Sequence, residues 1–123
     1  MNLSEIAGLF VANLVWRVSG SRRAARRLVA GLASPDETAR TLSAMWLVRG
    51  GRRAAPHLRE ELDHPRNLPL LITVIGDAAP DELRAELERL TRSSDPRVAR
   101  AATDALRAPE APPDARSRPS DLK

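Results

Sequence analysis

Apolar residues recur along this chain at helical spacing, and the pattern itself repeats. After Asp36, the positions Ala39, Leu42, Met45 and Trp46 are spaced three, three and one apart, which is one face of a helix. The segment opening at Pro65, 29 residues on from Asp36, carries Leu68, Leu71, Val74 and Ile75 in the same columns. A third copy opening at Pro96 carries Ala99, Ala102, Ala105 and Leu106. Shifting back by 30 residues brings in Leu9, Ala12, Val15 and Trp16, so the first segment reads as a fourth copy.

A second set of helices fits between these copies. Ala25, Leu28 and Leu32 match Ala55, Leu58 and Leu62 at an offset of 30, and Leu87 continues the Leu28 and Leu58 column. Pro35, Pro65, Pro80 and Pro96 each precede an apolar run, where a missing N–H costs nothing. Ser34, Asp77 and Asp95 are expected as caps or near-caps. Gly50 and Gly51 break the chain after Arg49, so the single RGG reads as a helix stop. The spacing predicts seven helices, at 3–18, 21–32, 36–49, 52–62, 66–76, 80–92 and 96–107. LPLLITVIG alone would pass for a strand, but its agreement with three helical copies places it on a helix.

A period near 30 built from helical pairs is the signature of a stacked repeat. RGGRRAAPHLREELDHPR, Arg49 to Arg66, resembles the short HEAT-like repeats of the bilin-lyase type, in which a Gly turn leads to an Ala-x-Pro-x-Leu helix and a Pro-led next repeat. DPRVARAATDAL resembles the first helix of the same repeat. The third pair departs from the pattern with DELRAEL, and the first with RRAARRL. The resemblance covers residues 1–107 and implies an all-α, right-handed HEAT-like superhelix of about three and a half pairs that binds proteins. It implies no activity. Residues 108–123, APEAPPDARSRPSDLK, are Pro-rich and apolar-poor, and are expected to be a disordered tail.

Composition narrows the chemistry. The chain has 123 residues, enough for one modest core, and only Phe10, Trp16 and Trp46 are aromatic. It contains no cysteine, which excludes disulfides and thiolate metal sites. The start lacks a basic leader region and contains Glu5, which argues against a secretory signal, and its apolar run is short for a bilayer span. Net charge is +4, unevenly placed: residues 1–60 carry ten bases and four acids, residues 61–123 ten bases and twelve acids.

Two surfaces stand out. Arg22 and Arg23 open the second helix, and Arg52 and Arg53 open the fourth at the same offset of 30; Arg26 and Arg27 extend the group by a turn. By the resemblance, second helices line the concave face, so these arginines border a groove suited to an anion, an acidic protein segment or a nucleic-acid backbone. Glu60, Glu61 or Asp36 are candidates to neutralise part of it, and Asp81 and Glu82 in the third pair end the stripe. Arg22, Arg23, Arg26, Arg52 and Arg53 are the candidate binding residues. The other surface lies on the first helix. Leu3, Ile6, Phe10 and Leu14 point about 120° away from the core columns, where a first repeat normally shows a polar cap. That face suits self-association, docking to another protein or contact with a membrane surface; packing into the chain's own core is the fourth option.

Catalysis finds little support. His57 and His64 need not converge across Pro65, no HExxH pattern occurs, and no Gly-rich loop follows a strand. No cofactor, metal or small-molecule substrate is expected. The sequence therefore predicts a non-catalytic, cytoplasmic, bacterial-type adaptor or scaffold, with a basic groove and an apolar first helix. The alternatives are a nucleic-acid-binding solenoid and a membrane-peripheral helical protein.

Overall fold

The computed structural model describes residues 1–107, and the expected tail at 108–123 lies outside them. Among the described residues the chain is all-helical: α1 (Leu3–Ser19), α2 (Arg22–Gly31), α3 (Glu37–Gly50), a 3-10 turn (Gly51–Ala54), α4 (Ala55–Leu62), α5 (Leu68–Ala78), α6 (Arg84–Leu90) and α7 (Pro96–Arg107). LPLLITVIG is helical, as its register predicts.

Local chemistry sets the helix starts. Asn2 caps α1 by accepting from the Glu5 amide, and Ser21 caps α2 by accepting from Ala24. Two starts share one device. Ser34 Oγ accepts from the Asp36 amide and Asp36 Oδ1 accepts from Thr38; Ser93 Oγ accepts from Asp95 and Asp95 Oδ1 accepts from Arg97. Each serine fixes the aspartate that satisfies the amide of the second residue in the following helix. Asp77 does not cap, because α5 continues past it to Ala78. α6 starts four residues later than the predicted 80. Ala79 leaves the helix at φ −152°, and residues 80–83 form turns closed by Leu83 N–H to Ala79 O and Arg84 N–H to Asp81 O.

The repeat columns form the core. Trp16, Trp46 and Ile75 are buried and Leu106 is partly buried against the core; Leu28, Leu58 and Leu87 are fully buried in the second set. Val15 is the exception: it is 40% exposed, so the first copy does not keep that column inside. Besides sequence neighbours, α1 meets α3, α3 meets α5, α5 meets α7 and α2 meets α4. α1 and α3 run side by side in the same direction. The Asn2 amide donates to Asp36 at one end, Phe10 lies edge-on to Trp46 at 4.9 Å midway, and Trp16 meets Gly50 at the other end.

Two glycines permit these approaches. A Cβ on Gly50 would lie 2.4 Å from the Trp16 ring, and Gly51 then turns the chain at φ +59°. These facts explain the helix stop read from RGG. A Cβ on Gly31 would lie 2.0 Å from Ser43 Oγ and 2.9 Å from its Cβ, where α2 crosses α3. Ser43 is fully buried and its hydroxyl has no protein partner.

Gly31→Ala is therefore expected to lose about 1–3 kcal/mol by overpacking. Ser43→Ala alone should be neutral or stabilising, since it removes an unpaired buried hydroxyl. The double variant should recover part of the loss. Urea unfolding of the three variants tests this, and a Gly31→Ala protein as stable as the parent would contradict the packing.

Candidate functional site

The outer face of α1 is the most unusual surface of the molecule. The helix buries Ile6, Leu9, Ala12, Asn13 and Trp16. Its opposite side leaves Leu3, Phe10, Val11, Leu14, Val15 and Val18 exposed, at 40–78%. With Met1, these are all the exposed large apolar side chains among the described residues. Three of the four residues expected on this face are there: Leu3, Phe10 and Leu14. Ile6 is not, being 8% exposed. At 100° per residue Ile6 lies about 60° from Leu3 and about 60° from Leu9, so angle alone did not assign it. Val11 and Val18 widen the face beyond Leu14, by about 60° and 40° on the helix, and Val11 lines a groove with α2. Spacings of three and four from Leu14 reach both of them.

A shallow groove of about 440 Å³ borders this face, lined by Gly8, Val11, Ala12 and Val15 of α1, and by Ser21, Arg23, Ala24, Arg26 and Arg27 at α2. Arg27 lies across Gly8, where a Cβ would come within 2.6 Å of its guanidinium. At the C-terminal ends of α1 and α3 a smaller pocket of about 190 Å³ is walled by Asn13, Trp16, Arg17, Trp46, Arg49, Gly50 and Arg53. The Arg53 guanidinium sits 5.4 Å over the Trp16 ring and donates to the Trp16 carbonyl at 3.1 Å. Asn13 Oδ1 is buried without a protein partner.

The arginine groove is built differently from the expectation. Arg26 makes a forked pair with Glu60 at 3.2 and 3.0 Å, and Arg22 reaches the same carboxylate at 3.7 Å. Arg52 pairs with Glu82 at 3.7 Å, while Arg59 meets Glu86 at 3.1 Å and the Glu82 carbonyl at 2.9 Å. Arg52 and Arg53 belong to the 3-10 turn, so they do not open α4 itself. Of the five arginines expected to hold an anion, three are ion-paired and Arg53 is engaged with Trp16. Arg23 has no ion pair among the described residues and borders the α1 groove instead. The contacts tie α2 to α4, and α4 with its 3-10 turn to α6 and the turn before it.

The shared hydrogen bond with Arg26 holds the Glu60 carboxyl below its ordinary value. That ion pair is complete above the ordinary glutamate range, and is lost as pH falls through the lowered value. His57 stands edge-on to Trp16, with ring centroids 6.2 Å apart. Burial lowers its proton affinity, aided by Arg22 and Arg26 and opposed by Glu60. His64 lies in the exposed turn after α4. Among the described residues there is no group of three His, Asp or Glu placed to hold a metal ion, and no helix long and apolar enough to cross a membrane.

The chain matches no family model, no curated protein and no solved structure. The surfaces themselves carry the functional argument.

Glu60→Gln is expected to lower the His57 titration midpoint further, because Glu60 is the group that favours its imidazolium. The same change leaves Arg22 and Arg26 without their carboxylate, so salt-sensitive binding to duplex DNA should be stronger than in the parent. NMR pH titration and fluorescence anisotropy at two salt concentrations read these outcomes. An unmoved His57 and unchanged DNA binding would contradict the charge network.

Proposed function

We propose that this chain is a non-catalytic protein-interaction module: a right-handed, HEAT-like α-α superhelix of three and a half pairs that docks a partner protein on the outer face of α1. One observation carries the reading. Among the described residues, the large apolar side chains left in water are confined to α1 and to Met1 just ahead of it. Scattered exposed apolar residues need no explanation, but a contiguous patch on a rigid, capped helix does. The repeating columns and the contacts between alternate helices support the superhelix; so does the Gly turn at Gly50–Gly51. The arginine-rich side plays the lesser role, since Glu60 and Glu82 already engage three of its five candidate arginines. A cytoplasmic setting agrees with the absence of cysteine.

A membrane-peripheral role is the second reading. The observation that favours it is the placement of Arg17, Arg23 and Arg27 beside the apolar face, with no ion pairs among the described residues, as contact with anionic lipid would require.

A photo-crosslinking residue placed at Leu14, with a control at Arg89 on α6, separates the readings in living cells. The proposal expects protein adducts at position 14, identified by mass spectrometry, and few at position 89. Adducts confined to lipid at position 14, or equal yields at both positions, would overturn it.

A further inference from the structure

We propose that the partner on α1 is a second copy of this chain, paired antiparallel across a two-fold axis near Phe10 and Val11. The inference rests on α1 being a docking face, and adds its occupant.

Three features argue for it. The first is pattern. Leu3, Ala7, Phe10 and Leu14 follow the alternating four-three spacing that lets two helices interlock along a seam, and Val11 and Val18 add a parallel stripe seven residues apart. Ala7, small and exposed within this seam, gives a facing side chain room to enter.

The second is area. The apolar surface exposed along α1 is on the order of 600–800 Å², about what each partner contributes to an ordinary stable interface. Two copies supply both halves from a single patch. A two-fold interface needs only that the patch be complementary to itself.

The third is charge, and it selects the direction. Along the seam of α1 and α3, Glu5, Asp36 and Glu37 outnumber Arg40 and the N-terminal amine at the N-terminal ends, and Arg17 and Arg49 stand at the C-terminal ends. Asp36 and exposed Glu37 stand beside Met1 and Leu3. Arg17, Arg49 and Arg53 stand together at the other end. Pairing the copies in parallel would set arginine against arginine and glutamate against glutamate. Antiparallel pairing sets Glu37 of each copy near Arg17 and Arg49 of the other, so the charge gradient becomes complementary to itself. A face meant for anionic lipid would not be helped by acids at one end.

The test uses the full chain, which has no native cysteine to interfere. Sedimentation equilibrium should find a dimer at micromolar concentration. Leu14→Glu should raise the dimer dissociation constant at least 100-fold while keeping the parent's helical signal. Arg17→Glu and Glu37→Arg should each weaken the dimer, and together restore it. Val11→Cys should oxidise to a covalent dimer. Leu3→Cys and Val18→Cys should each crosslink poorly alone and efficiently when mixed. A parent chain that remains monomeric at 100 µM would overturn the proposal, as would efficient Leu3→Cys self-crosslinking, which reports a parallel pair. So would a monomer that floats with phosphatidylglycerol vesicles. A monomer whose Leu14 crosslinks to a different protein in cells would overturn only the second copy and leave the docking face standing.

Discussion

The odd-numbered helices of this fold are each covered by more than one neighbour, and that requirement governs the chain. α3 packs between α1 and α5, and α5 between α3 and α7, so each must be apolar on two sides. Ala39, Leu47 and Trp46 meet that demand in α3, as Leu71, Ile72, Val74 and Ile75 do in α5. α1 has the same two-sided composition, and among the described residues it packs on α2 and α3 from one side. Its inner side makes the core; its outer side is left in water. Trp16 fastens this helix to the rest, touching Gly50 at the end of α3, Arg53 in the 3-10 turn and His57 on α4. The exposed face is thus held on a rigid element, as a binding surface needs.

The charges follow a related logic. The basic first half and the acidic second half do not oppose each other as separate surfaces. They meet through Arg52 with Glu82 and Arg59 with Glu86, while Arg22 and Arg26 share Glu60 inside the basic half. Exposed pairs of this kind contribute little stability one at a time. Their value lies in register, because each links a helix to the next pair and disfavours a slipped arrangement. Part of the charge that would have drawn a nucleic-acid backbone is answered internally, by Glu60 and Glu82.

Much of this was legible in the sequence because the two periods involved are strong. Spacings of three and four locate the helices, and the offset near 30 shows which faces look inward. Trp16, Trp46, Ile75, Leu28, Leu58 and Leu87 are buried on that basis. α6 begins late because Ala79 and Pro80 make a turn, a local geometry that the apolar columns do not encode. Ile6 and Val15 went to the wrong sides because the first helix is apolar nearly all round, so period alone leaves its orientation open. The arginine pairing had a readable signal. Glu82 lies 30 residues after Arg52, Glu86 27 after Arg59 and Glu60 34 after Arg26, so opposite charges stand about one repeat apart. Asp81 and Glu82 mark the end of the basic stripe, and Glu82 is also a partner to it.

The account comes down to whether the outer methyl groups of α1 belong to the core or to an interface. Methyl NMR with a soluble paramagnetic agent, recorded from dilute to concentrated protein, answers this directly. The account predicts that Leu3, Val11, Leu14 and Val18 are strongly broadened by the agent at low concentration and become shielded as concentration rises, while Leu9 and Leu28 stay shielded throughout. Shielding of all six at every concentration would place the face inside the fold, and persistent broadening of the outer four would leave it without a second copy to cover it.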